Sequence, residues 1–107
     1  MRRPTRVRIA GREWRIRWRD QKKMVAKDSA FGLTHFDCGA IDIATQMSAF
    51  DTKDTVLHEL MHAILAQQGH TSYGNEAEEA FVRPLAAGLI GVFQDNPELA
   101  RWLTEPT

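Results

Sequence analysis

Apolar and polar residues alternate strictly near the start of the chain. Val7 and Ile9 interleave with Arg6 and Arg8, and Trp14, Ile16 and Trp18 interleave with Arg15, Arg17 and Arg19. A period of two sends one set to each face of an extended strand. Ala10, Gly11 and Arg12 separate the two runs and supply a turn glycine, so residues 5–19 are predicted to form an antiparallel hairpin with one arginine face. Residues 20–30 are polar and weakly patterned, a connecting loop or a short helix. Ile41 and Ile43 flank Asp42 in a third short strand at 39–45, and Gly32 and Gly39 punctuate this region.

The period then changes. Val56, Leu57, Leu60, Met61, Ile64 and Leu65 recur at spacings of three and four, which predicts an amphipathic helix over about 52–68. Asp51 or Thr52 is the expected cap at its start, and Gly69 stands where a helix ends in the left-handed conformation. A second helix is expected over about 76–94, with Asn75 as N-cap and Glu78 as the capping-box partner three residues on. Pro84 inside it should kink it near Ala80. Asn96, Pro97 and Glu98 open a short closing helix that reaches Leu103. The expected fold class is α+β, with a small N-terminal sheet, made of the hairpin and an edge strand, packed on two long helices and a short C-terminal one.

The chain has 107 residues, so one domain spanning 1–107 with one modest core is expected. The longest apolar run, Leu85 to Phe93, is far shorter than the roughly 20 residues of a membrane-spanning helix. No apolar stretch follows the basic start, so a secretory signal is not expected. Cys38 is the single cysteine, which excludes an internal disulfide and suits a cytoplasmic setting. The zero net charge hides a split. Residues 1–27 carry eleven Lys or Arg and two acids, a net of +9, and the remainder carries −9. Such an arm either contacts nucleic acid non-specifically or is a solvated strand face.

The first helix contains His58-Glu59-Leu60-Met61-His62. Two histidines four apart lie one turn above the other and can share one zinc ion. Glu59, one position on, reaches a zinc-bound water rather than the metal and suits a general base. A catalytic zinc takes a third protein ligand. Gln68 stands where the extended metzincin pattern needs a histidine. The remaining candidates are His70, Cys38 and the acids Glu76, Glu78 and Glu79. Glu78 has its capping duty, whereas Glu79 shares a face with Val82, Leu85 and Ala86, so Glu79 is favoured and Glu78 is the alternative. Tyr73 and His70 are candidate transition-state donors. A fourth protein ligand would instead indicate a zinc-stapled structural or regulatory module.

The run TVLHELMHAIL followed by EEAFVRPLAAGL resembles the small gluzincin-like zinc metallopeptidases of phages and prophages, related to the ImmA/IrrE-type peptidases. That family's next helix carries E-x-x-A-N-x-F-A. Read from Glu79, this chain gives E-A-F-V-R-P-L-A, matching at Glu79 and Ala86, with Val82, Arg83 and Leu85 in place of the alanine, asparagine and phenylalanine. The resemblance covers roughly residues 31–103. It implies a minimal zincin fold, Glu79 as third zinc ligand, and a substrate backbone lying along an edge strand, for which residues 40–45 are the candidate. It also implies peptide-bond hydrolysis in the cytoplasm of a host cell. The expected partner is a peptide or protein substrate, such as a repressor or virion protein, with no membrane involved.

Overall fold

The computed structural model describes residues 2–24, 31–69 and 76–106. Strands β1 (Arg6–Ile9) and β2 (Arg12–Arg19) form the expected hairpin, with Ile9 paired to Arg12 across a two-residue turn. Ala10 and Gly11 both take positive φ, +47° and +84°, the geometry whose twist matches that of the flanking strands. Arg12 therefore belongs to β2 and not to the turn. A 3-10 turn at Gln21–Lys23 follows, then β3 (Gly32–His35) and β4 (Ala40–Ala44). The sheet order is β1-β2-β4-β3, with β1 antiparallel to β2, β4 parallel to β2, and β3 antiparallel to β4.

One expectation is corrected here. The strand at residues 40–45 is not an edge strand. β4 is bonded on one side to β2 and on the other to β3, so it has no free side for a further strand. The edges are β1 and β3, and sequence patterning left β3 unassigned.

The helices are α1 (Ala49–Gln67), α2 (Glu76–Asp95) and α3 (Pro97–Leu103). α1 begins three residues earlier than expected. Its N-cap is Ser48, whose Oγ accepts from Asp51 N–H at 3.1 Å, so neither Asp51 nor Thr52 is the cap. Gly69 closes α1 at φ +89°, as expected. α2 runs as one helix through Pro84. Asn75, its expected cap, lies outside the described residues. The architecture is thus α+β, a four-stranded sheet with three helices. No helix among the described residues is long and apolar enough to cross a membrane.

The hydrophobic core lies between one face of the sheet and α1. Ile9, Trp14, Ile16, Ile41, Ile43 and Ala63 are buried together, and Val7, Trp18, Val56 and Leu60 pack around them. Trp14 is 1% exposed. The tryptophans face inward and the interleaved arginines outward, as period-two alternation requires. β3 and β4 pack on α1, and α1 packs on α2, so the motif-bearing helix is held between the sheet edge and α2.

Candidate metal centre

His58 and His62 project from the same side of α1 toward α2, with ring centroids 4.9 Å apart. Their Nε2 atoms are 3.2 Å apart. Glu79 Oε1 lies 3.1 Å from His58 Nε2 and also meets His62 Nε2. These are the ligand atoms of a group that can hold a metal ion, all within 4.8 Å of one another. Two nitrogens bound at about 2.0–2.1 Å to a tetrahedral zinc stand about 3.3 Å apart, which the histidine pair already matches. Two imidazoles and one carboxylate are also a donor set that a borderline-soft divalent ion accepts.

The expected cap contact of Glu78 with the Asn75 N–H lies outside the described residues. The Glu78 side chain is 1% exposed, inside the α1–α2 interface, where Oε2 accepts from His62 Nδ1. An ionised Glu78 accepts from Nδ1–H, and in that tautomer Nε2 keeps its lone pair for a metal. Glu78 is thus not a ligand in this arrangement but the group that orients one. The buried row of α2 is Glu78, Val82, Ala86 and Ile90, at spacings of four. Leu85, expected on that inner face, is 50% exposed. Glu79 reaches the cluster from the flank of the row, and its Oε2 accepts from Arg83 Nη2 at 3.1 Å. Burial alone would raise the Glu79 carboxyl, but His58, Arg83 and His62 outweigh it and hold the group below the usual carboxylate range, in its ligating form.

Glu59 is 9% exposed, on the side of α1 that faces β3. Thr34, on the edge strand, donates its hydroxyl to Glu59 Oε1 at 2.7 Å and lies 3.1 Å from the Glu59 carbonyl oxygen. Gly32 makes room for this contact. A Cβ there would stand 2.7 Å from Thr55 Cγ2 and 2.8 Å from Glu59 Cγ. Burial pushes the Glu59 carboxyl above its usual range. Glu79 adds to that shift, and the Thr34 hydrogen bond and the two histidines oppose it. A carboxylate with raised proton affinity, held still by one oxygen, is suited to receiving a proton.

The other candidates separate cleanly. Glu76 is exposed at the start of α2, lining an open cleft of about 410 Å³ with Glu79, Ala80, Arg83 and Pro84. Cys38 is exposed in the β3–β4 turn and is not part of the cluster. His70 and Tyr73 lie outside the described residues. Thr34 and Gly32 went unassigned in the sequence, since nothing local marks a four-residue strand that is defined by its contacts with β4 and α1. No protein-family model, curated protein or solved structure matches the chain.

Proposed function

We propose that the chain is a zinc-dependent metallopeptidase of the minimal zincin type, related to the phage and prophage enzymes it resembles. The observation that carries this reading is the joint placement of His58, His62 and Glu79 around one point with Glu59 buried beside them and anchored to the edge strand. Zinc, when bound by those three residues, supplies Lewis-acid polarisation of a carbonyl and lowers the pKa of a water to about 7.

The chain's own residues do the rest. Glu78 fixes the His62 tautomer and ring orientation. Arg83 occupies the second oxygen of Glu79, leaving the first for the metal position. Glu59 accepts a proton from the attacking water and delivers it to the leaving nitrogen, so that one carboxyl serves both halves of the reaction. Its raised proton affinity suits the first transfer, and the shared position of Thr34 keeps it from swinging away between the two. The substrate backbone pairs with the free side of β3, next to Thr34, which sets a peptide carbonyl over the cluster. Strand addition of this kind draws its affinity from main-chain hydrogen bonds, and so reads backbone more than side chains.

Glu59→Gln tests this. The expected result is a protein that keeps its fold and its zinc but has no hydrolytic activity on an unfolded protein substrate that the wild type cleaves. Loss of zinc in that variant would make Glu59 a ligand and overturn the role assigned to it. A wild type that binds zinc stoichiometrically and cleaves no such substrate would favour the zinc-stapled module instead.

A further inference from the structure

The face of the sheet opposite α1 carries a charge arrangement that neither the core nor the metal centre uses. Arg6, Arg8, Arg15, Arg17 and Arg19 all point outward there, and no helix among the described residues packs on them. Two acids share the face. Asp42 is 1% exposed and fully engaged: Arg17 Nε donates to it at 2.5 Å, and His35 Nε2 lies 2.9 Å away. Glu13 lies 3.7 Å from Arg6. Arg8 and Arg15 have no side-chain partner among the described residues, and Arg15 stands directly opposite Arg6 in the β1–β2 ladder. Like charges facing each other across a ladder are destabilising, and a bound anion relieves this.

The β4 side of this face, with Ala40 and Ala44 flanking Asp42, is buried, and the exposed part lies on the hairpin, where a shallow depression of about 420 Å³ is lined by Arg6, Arg15, Arg17 and Glu13. The arginines of β2 recur every second residue, about 6.7 Å apart. Each strand of a nucleic-acid duplex carries a phosphate about every 3.4 Å of axis, a dense row of negative charge that a row of arginines at this spacing can neutralise. Trp14 and Trp18 face the other way, so this face offers no aromatic platform of the kind that single strands stack on.

We propose that the outer sheet face is a docking surface for the phosphate backbone of a nucleic-acid duplex, without sequence preference. The surface is independent of the metal centre, which lies on the far side of the sheet across α1. The acidic remainder of the chain does not cancel it, because at physiological ionic strength charges are screened beyond about 8 Å.

The test is fluorescence anisotropy of a labelled, mixed-sequence DNA duplex titrated with the full chain at several salt concentrations. Three to four engaged arginines give a slope of log K against log salt of about −3 to −4, the same for a scrambled sequence. Arg8→Gln with Arg15→Gln makes the slope shallower by about 2 and weakens binding roughly 60-fold at about 0.1 M salt, about eightfold for each single variant. Glu13→Gln tightens binding. His62→Ala leaves it unchanged, which separates this surface from the proposed peptidase site. Circular dichroism checks that the arginine variants remain folded, and the single variants read the same effect if the double one does not. Three results would overturn the proposal: no duplex binding at about 50 mM salt, equal binding by the double variant, or equal competition by polyglutamate. Tighter binding of a single strand of the same length would do so as well.

Discussion

Glu78 and Glu79 are adjacent in sequence, and the structure gives them opposite duties that a pair of substitutions can separate. In Glu78→Ala, the His62 Nδ1–H loses its acceptor in a site that water does not reach. An unsatisfied buried donor costs about 1–3 kcal/mol, and the one lost buried methylene adds about 0.8. Removing a desolvated carboxylate offsets part of this, so a net loss of about 2–3 kcal/mol is expected in the metal-free protein. For a chain of this length that lowers Tm by roughly 10–20 °C. Zinc affinity falls by about 10- to 100-fold, because His62 is no longer held in its ligating tautomer.

Glu79→Ala behaves in the reverse way. Its side chain is 28% exposed and its ion pair with Arg83 is open to solvent, so metal-free stability changes by only about 0–1 kcal/mol. What it loses is a ligand. Zinc at about 100 times its dissociation constant stabilises the wild type by about 2.7 kcal/mol, and most of that gain vanishes in Glu79→Ala. The assay is thermal denaturation with and without zinc, alongside zinc titration against a chromophoric chelator. A full zinc-induced rise in Tm in Glu79→Ala would refute the ligand assignment. An unchanged metal-free Tm in Glu78→Ala would refute the buried anchor.

Two further expectations concern the sheet. Gly32→Ala forces a methyl against Thr55 Cγ2 and Glu59 Cγ, so β3 must move off α1 at a cost of about 1–3 kcal/mol, and adding Thr55→Ser recovers part of the lost Tm. No loss of Tm in Gly32→Ala would mean that β3 does not sit this close. For Asp42, burial favours the neutral acid, but Arg17 and His35 outweigh it and hold the group below its usual range. A carboxyl depressed in the folded state contributes stability above its unfolded pKa of about 3.9, and that contribution is lost as pH falls from there through the folded value. Asp42→Asn should therefore lower Tm by an amount that is full near neutral pH and shrinks below about pH 4. A difference that stays constant across that range would show that the charge of Asp42, set among Arg17, Arg19 and His35, is not what it contributes.

The hairpin, α1 and the histidine pair were legible because each is a local pattern: strict alternation, a three-four spacing, and two ligands four apart on one helix. β3 was not, because Gly32–His35 is too short for a period and becomes a strand only by pairing with β4 and docking on α1. Missing it also misplaced the sheet edge onto β4. The acids at the start of α2 show a different limit. A capping box is a local motif that Glu78 fits, but it says nothing of the contact that the same side chain makes with His62 across the α1–α2 interface. The spacing of four through Glu78, Val82, Ala86 and Ile90 was present in the sequence as a competing signal. Of the residues expected to share a face with Glu79, Val82 and Ala86 are buried and Leu85 is exposed, so Glu79 stands at the border of the inner row.

The distribution of polar and apolar side chains in the helices is itself an argument about the α1–α2 interface. His62 and Glu78 are buried there and Glu59 is buried on the side of α1 that faces β3, while Phe81, Leu85, Val92 and Trp102 on α2 and α3 are at least 43% exposed. A small chain selected for stability alone would place apolar side chains in the interface, because buried ionisable groups at best break even with hydrophobic residues of similar volume. Each of the polar groups around α1 instead has a defined partner: Thr34 of β3 for Glu59, Glu78 for His62, and Arg83 for Glu79. Those partners leave the Nε2 atoms of both histidines and one oxygen of Glu79 directed at a common point. An arrangement that forgoes apolar packing yet fixes the orientation of three donor atoms is one whose stabilisation comes from what those atoms bind, since a ligand that recognises only the folded chain adds its binding free energy to folding.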